Sequence, residues 1–219
     1  MEFRPLEFSI VVVANDCNPT ILNPDFLTKQ GIVRDEWEWK LSGTPITTPP
    51  FAIVSYENGI SISVEPNKFQ IVDRLLSNKP NKSQIPQIAC KYIQVLPHVR
   101  YTAVGHNFRG LLEHEKAKEF LRKRFIKDGV WDSNKRKLEG ISLKFVYPLK
   151  GGRLNISLDA ADIIDRSADP LKEFHGILIQ VNYHRDCQGY PSDKQVVEHF
   201  NHTKEDWLHC RATISDILG

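Results

Sequence analysis

The segment VNYHRDCQGYP, residues 181–191, brings three side chains that often do chemistry into four positions: His184, Asp186 and Cys187. His-Arg-Asp also occurs in the catalytic loop of protein kinases, but that loop requires an Asn five residues after the Asp. Pro191 stands at that position, and no glycine-rich phosphate loop precedes the segment. A glycine and a proline next to a strand end are typical of a turn. We therefore interpret the segment as the end of a strand and not as a catalytic loop.

The C-terminal third of the chain is rich in residues that bind zinc. Tetrahedral zinc takes four such ligands, which usually come as two close pairs. Two pairs have a suitable spacing, and they are His184 with Cys187 and His199 with His202. No Cys-x-x-Cys and no His-Glu-x-x-His accompanies them. Because these two pairs have a suitable spacing, a metal-dependent enzyme is the third functional alternative. Because the motifs are missing, no cofactor is predicted.

A basic segment lies in the middle of the chain, over residues 116–137. Basic side chains with an interleaved aromatic ring suit the phosphates and unpaired bases of a nucleic acid. The residues of this kind are Arg122, Lys123, Arg124, Lys127, Trp131, Lys135, Arg136 and Lys137. The structural interpretation is a solvated amphipathic helix followed by a charged loop. Nucleic-acid binding through this segment is the second functional alternative.

Polar residues also cluster in YTAVGHNFRG, residues 101–110. Gly105 interrupts an otherwise regular strand, which predicts a bulge or a close approach of another group. A strand of this kind could line a polar groove for a partner. The residues of that predicted groove are Tyr101, His106, Asn107 and Arg109.

Two further patterns have both a chemical and a structural interpretation. Cys17 follows the first predicted strand, where it could act as a nucleophile with His98 or His106 as its base. The structural interpretation is that the polar neighbours of Cys17 end the strand. The second pattern is a run of acidic residues three or four positions apart, Asp159, Asp162, Asp165 and Asp169. That spacing would place them on one side of a helix, either as a cation site or as an exposed acidic face.

The composition is that of an ordinary globular protein. Of the 219 residues, 41% are hydrophobic and 26% are charged, and the formal net charge is +2. A charge so close to zero creates no overall field toward nucleic acid or a membrane. No apolar run is long enough for a transmembrane helix. The four cysteines are far apart and no secretion signal is present, so we expect reduced thiols in a cytoplasmic protein.

The strands that must position these residues follow from the alternation of apolar and polar side chains. Asn58-Gly59 lies between two β-rich runs and predicts a hairpin with a type I′ turn over residues 51–66. Gly151-Gly152 predicts a second hairpin. The remaining predicted strands cover residues 6–14, 68–75, 99–108, 141–147, 153–159 and 174–183.

A short helix is predicted to start at residues 24–27, and three longer helices are predicted from apolar residues spaced by three and four. The first of the three follows Ser83, its expected N-cap, and ends before Pro97. The second covers residues 113–127. The third opens at Thr203, which together with Asp206 resembles a capping box. Its apolar face consists of Trp207, Cys210, Ile214 and Ile217.

The elements come in a similar order in two parts of the chain. Residues 1–97 and residues 98–219 each follow the order β-α-β-β-β-α. Their hairpins also align, with residues 61–65 on residues 155–159, although any two amphipathic hairpins resemble each other. We predict an α+β fold of antiparallel sheets with helices packed on one face, built from two pseudo-symmetric halves in one globular body.

These observations favour binding over catalysis. Sheet edges must be paired or protected, and we interpret Trp37 and Trp39 as exposed aromatic residues. We therefore expect a non-catalytic binding or scaffold protein that acts through a protein partner or as a homo-oligomer, away from membranes.

Overall fold

The computed structural model describes residues 3–75, 79–131, 138–165 and 172–219. These residues form one antiparallel sheet of nine strands and five α-helices, which confirms the predicted α+β fold. The strands are β1 (Phe3–Asn15), β2 (Ile46–Thr47), β3 (Ala52–Ser55), β4 (Ile60–Glu65), β5 (Lys68–Asp73), β6 (Arg100–Glu113), β7 (Ser142–Leu149), β8 (Gly152–Asp165) and β9 (Lys172–Asp186). The helices are α1 (Pro24–Lys29), α2 (Ile85–Val95), α3 (Ala117–Phe125), α4 (Asp193–Asn201) and α5 (Thr203–Leu218). Within the described ranges, none of these helices has the length and apolar character needed to cross a bilayer.

The strand order is β2-β3-β4-β5-β1-β6-β9-β8-β7, and all neighbouring strands are antiparallel. The long strands β1 and β6 pair at the centre of the sheet. This central pair joins the predicted antiparallel sheets into one, with the earlier strands on one side and the later strands on the other. The division of the chain into halves at residue 97 stays a prediction.

The helices cover one face of the sheet. Successive side chains of a strand point to opposite faces, and the buried side chains of β1 are Phe8, Ile10, Val12 and Ala14. On this helix side, Phe69 of β5 stacks on Tyr92 of α2 with ring centroids 3.8 Å apart. Phe108 of β6 packs on Trp207 of α5 at 5.4 Å. The opposite face, which carries the alternate residues such as Asn107, is called the open face below.

A bulge in β6 decides which side chains reach the helix side. Val13 of β1 lies opposite Ala103, but Ala14 lies opposite Tyr101, so Thr102 is an extra residue in β6. A single extra residue exchanges the faces of all side chains beyond it. For this reason Tyr101 is turned away from the open face and is only 1% exposed.

Both predicted hairpins form, but the first has a different turn. Only Gly59 in the loop between β3 and β4 has a positive φ, at 88°. A type I′ turn requires a positive φ at both central residues. The backbone N–H of Tyr56 donates to the carbonyl oxygen of Ile60 at 2.8 Å, so the turn closed by this bond has three residues, 57–59, with the glycine in the left-handed region. The predicted type I′ turn is therefore wrong, although the hairpin itself is confirmed.

The predicted acidic helix is also wrong. Asp159 and Asp162 lie in strand β8, which pairs with β9 along its whole length. Residues three apart in a strand point to opposite faces, so these two carboxylates do not share a side. Asp162 instead pairs with His175 of β9, with Oδ1 and Nδ1 2.8 Å apart. Asp169 lies outside the described residues. Backbone pairing with β9 overrides the helical spacing of the acids.

Trp37 and Trp39 are half-buried and not exposed as expected. Their rings lie 4.8 Å apart, and Trp39 also packs on Tyr56 at 5.2 Å. Trp39 therefore packs against the end of the hairpin, and both rings keep only part of their surface exposed.

Candidate functional site

Three asparagine side chains form a row across the open face. Asn107 of β6, Asn182 of β9 and Asn155 of β8 are opposite one another in the strand register. Nδ2 of Asn155 donates to Oδ1 of Asn182 at 3.0 Å, and Nδ2 of Asn182 donates to Oδ1 of Asn107 at 2.7 Å. Because each amide orients the next, the row is held in one arrangement. We call these three residues the amide row.

Gly105 leaves room for this row. A Cβ atom at Gly105 would lie 3.0 Å from Nδ2 of Asn182. The pairing runs through Gly105 without a shift, with Val11 opposite on one side and His184 on the other. Of the two predictions for this glycine, the close approach is confirmed. The bulge occurs three residues earlier, at Thr102.

Basic side chains surround the amide row. The row lies in a shallow depression of about 680 Å³ whose lining extends from Gln70 of β5 to Lys144 of β7. Six adjacent strands contribute, so the depression is about 24 Å wide at a strand spacing of about 4.8 Å. Its charged lining residues are Glu7, Arg109, Lys144 and Arg153. The three basic residues are exposed, and none has an ion-pair partner in the part of the chain that the structure describes.

A buried polar cluster fixes the same strands from the helix side. Arg185 of β9 donates two hydrogen bonds to Asp206 of α5, from Nη1 to Oδ2 at 2.8 Å and from Nη2 to Oδ1 at 2.6 Å. Nδ1 of His106 on β6 donates to Oδ2 of Asp206 at 2.7 Å. The cluster thus fastens α5 to β6 and β9, the strands that carry Asn107 and Asn182 on their other face.

The charge state of this buried cluster follows from its surroundings. Burial opposes protonation of His106 more than Asp206 favours it, so the pKa of His106 lies below its ordinary value. Burial also opposes ionisation of Asp206, but the hydrogen bonds from His106 and Arg185 outweigh it and hold the pKa of Asp206 below its ordinary value. At neutral pH the cluster is therefore a carboxylate, a guanidinium and a neutral imidazole. Nε2 of His106 is buried and has no hydrogen-bond partner among the described residues.

The residues predicted to line one polar groove lie on two faces of the sheet. Asn107 and Arg109 are on the open face and both line the depression. Tyr101 and His106 are on the helix side, where the hydroxyl of Tyr101 donates to the carbonyl oxygen of Leu96 at 2.8 Å. The structure therefore brings together one half of this predicted set and separates it from the other half.

The described part of the predicted basic segment, residues 116–131, lies on the helix side as well. Arg122, Lys123 and Arg124 form the last turn of α3, which contacts β8 and β9. Nε of Arg124 donates to the carbonyl oxygen of Ile217 at 2.7 Å, which ties it to the end of α5. Arg122 lies over the ring of Trp131, with 5.9 Å to the ring centroid. Lys127 follows α3, whereas Lys135, Arg136 and Lys137 lie outside the described residues.

The structure does not bring the two predicted zinc-binding pairs into one cluster. In the described ranges, no group of three or more His, Cys, Asp or Glu side chains is arranged to hold a metal ion. Nε2 of His184 donates to Oδ1 of Asp186 at 2.9 Å, and Nδ1 of His202 bonds to Oε2 of Glu205 at 3.0 Å. The other two predicted ligands are His199 and Cys187. Burial beside Asp186 raises the pKa of the Cys187 thiol to about 11.

The Cys17 thiol is not activated either. Cys17 is 8% exposed, and burial together with the nearby Asp16 raises its pKa to about 11. A nucleophilic cysteine needs a lowered pKa. His106, one of its two proposed bases, is bonded to Asp206 instead.

Comparisons with protein-family models, with curated proteins and with solved structures each gave no match to this chain. The candidate site is therefore defined by the geometry of the open face alone.

Sequence reasoning missed most of this site, although a signal for it exists. Asn155, Asn182, Lys144 and Arg153 each occupy a polar position in an alternating strand. The alternation within one strand indicates which of its own residues share a face. Only the register between strands aligns them into a row.

Proposed function

We propose that the protein is a non-catalytic binding protein that binds nucleic acid on the open face of its sheet. The observation that carries the proposal is the group of Arg109, Lys144 and Arg153 around the amide row, without ion-pair partners in the described ranges. Basic side chains of this kind suit phosphates, and amide side chains suit the edges of bases. The described part of the basic segment predicted from sequence lies on the other side of the sheet, so we propose the contact at different residues.

A protein partner fits this face less well. The central parts of protein interfaces are rich in aromatic residues and poor in charged ones. Among the described residues, the lining of the depression has three valines and no aromatic side chain, and its other members are polar or charged. Two copies of the chain placed face to face would also bring their arginines and lysines together.

The same lining favours a duplex over a single strand. Proteins that bind single strands usually offer aromatic side chains on which the bases stack. The depression offers none, whereas its width of about 24 Å over six strands suits a broad and regular ligand. We therefore expect double-stranded nucleic acid to bind more tightly than a single strand of the same length.

Fluorescence anisotropy with a labelled duplex and a labelled single strand tests the proposal. If three phosphates are neutralised, the logarithm of the association constant should fall with the logarithm of salt concentration with a slope of about −2.7. Between 50 and 200 mM salt the affinity should then fall about 40-fold. Absence of binding of both probes at 50 mM salt would contradict the proposal.

Two single substitutions locate the contact surface. Arg153→Ala should weaken binding and make the salt slope shallower by about 0.9, because one phosphate contact is lost. Lys123→Ala on α3 is the matched control, since this basic residue lies on the helix side. If Lys123→Ala weakens binding and Arg153→Ala does not, the basic segment is the site and the open face is not.

Self-association through β7 is a second candidate function. β7 is an edge strand, and its side chains Val146 and Tyr147 are 57% and 39% exposed. An edge strand presents unpaired backbone groups that a second copy can pair with. Sedimentation velocity should then detect a dimer that Val146→Lys disrupts, whereas Leu208→Lys at an exposed position of α5 does not. A monomer at about 100 µM would rule this candidate out.

A further inference from the structure

A separate cleft lies on the helix side of the sheet. It is formed by the end of α1 with the loop that follows, one side of α2, and the C-terminal part of α4. Its volume is about 760 Å³, within the range of small-molecule sites of about 300–1,000 Å³. We call it the helix-side cleft. It does not share a residue with the depression on the open face.

The charged residues that line the helix-side cleft are Lys29, Arg34 and Lys91, and no carboxylate of the described residues lines it. Lys29 and Arg34 also have acidic neighbours outside the lining, Asp25 at 3.9 Å and Glu36 at 3.1 Å. Both carboxylates are exposed to solvent, which weakens these pairs. Lys91 has no ion-pair partner in the described part of the chain. The lining therefore carries a net positive charge, and Lys91 is the one of its three basic residues without a carboxylate partner in the described ranges.

The cleft also has an apolar part. Phe200 of α4 and Ile32 of the loop line it, and they are 4% and 1% exposed. Trp37 adds a half-buried indole ring to the lining. Amide side chains, among them Gln94, complete it. Small-molecule sites combine an apolar wall with a few polar groups in this way.

We propose that the helix-side cleft binds a small organic anion in which a planar ring carries a phosphate or carboxylate group. The anionic group lies against Lys91 and Arg34, and the ring lies against Trp37, the half-buried aromatic residue of the lining. The proposal is independent of nucleic-acid binding, because the two surfaces are on opposite sides of the sheet.

Isothermal titration calorimetry at constant ionic strength tests it with three probes: adenosine 5′-monophosphate, adenosine and inorganic phosphate. Adenosine 5′-monophosphate combines a ring with an anion and should bind more tightly than either of the other two. Lys91→Ala should weaken its binding at least tenfold, because a hydrogen bond to a charged group is lost. Lys91→Glu, a second variant at the same exposed position, should abolish it.

Two controls separate this site from others. Lys194→Ala on α4 removes an exposed lysine that does not line the cleft, and it should change the affinity less than twofold. Arg153→Ala on the open face should also leave it unchanged, even where it weakens nucleic-acid binding. No saturable binding of adenosine 5′-monophosphate up to 5 mM, or equal binding by the wild type and Lys91→Glu, would overturn the proposal.

Discussion

Replacing Asp206 by alanine should lower the free energy of unfolding by about 3–5 kcal/mol, because a buried charge then loses its partner. The side chains of Asp206 and Arg185 are 5% and 8% exposed, and that of His106 is fully buried. Without the carboxylate, the guanidinium of Arg185 loses both of its hydrogen bonds to α5, and Nδ1 of His106 loses its acceptor. The capping box that the sequence suggested predicts a much smaller loss, about 1 kcal/mol.

Urea unfolding followed by far-ultraviolet circular dichroism measures this difference. The matched control is Glu205→Ala, which removes the neighbouring acid. The side chain of Glu205 is 78% exposed and pairs only with His202 in the described ranges, so its loss should cost about 1 kcal/mol or less. If Asp206→Ala does not fold, Asp206→Asn gives the comparison, since it keeps the shape of the side chain. A loss at Asp206 that equals the loss at Glu205 would refute the reasoning.

Three further outcomes are expected. Because burial lowers the pKa of His106, the unfolded chain takes up a proton below about pH 6.5 that the folded chain does not, and the free energy of unfolding should fall by up to about 1.4 kcal/mol per pH unit. Urea unfolding of His106→Gln at pH 7.0 and 5.5 should lack this contribution. A pH dependence equal to that of the wild type would contradict the expectation. Gly110→Ala should destabilise the fold by about 1–3 kcal/mol in the same assay, since its Cβ would lie 2.5 Å from the carbonyl oxygen of Arg4. Gly140→Ala, whose Cβ would meet no atom of the described residues within 4 Å, should have no effect beyond about 0.5 kcal/mol. Cys17, with a pKa of about 11, should react with iodoacetamide at pH 8 about a hundredfold more slowly in the folded protein than in urea. Peptide mapping by mass spectrometry measures both rates, and equal rates would contradict the burial of this thiol.

The local elements were largely predictable. Helix α2 has its buried residues at a helical spacing, and they are Ile85, Ile88, Ala89, Tyr92 and Ile93. The strands β4 and β5 alternate strictly between buried and half-buried residues. In each case the residues of one segment are enough to predict its secondary structure, because buried positions recur every few residues in a helix and at every second residue in a strand.

The acidic run in β8 shows where this reasoning fails. A spacing of three and four is compatible with a helix, but β8 gains backbone hydrogen bonds along its whole length by pairing with β9. That pairing partner follows after the run ends, and local spacing carries no information about it. Asp206 illustrates the same limit, since its partner His106 is 100 residues away along the chain.

The sequence by itself determined the class of the fold, the strands other than β2 and the helices other than α4. It determined which residues of a strand share a face wherever no bulge interrupts the strand. It also determined that the net charge is close to neutral. Only the tertiary structure decided that Asn107, Asn155 and Asn182 form one row and that Asp206 is buried with Arg185 and His106. The physical reason is that both arrangements depend on the register between strands and on the packing of α5, and these are set by contacts between segments far apart in the chain.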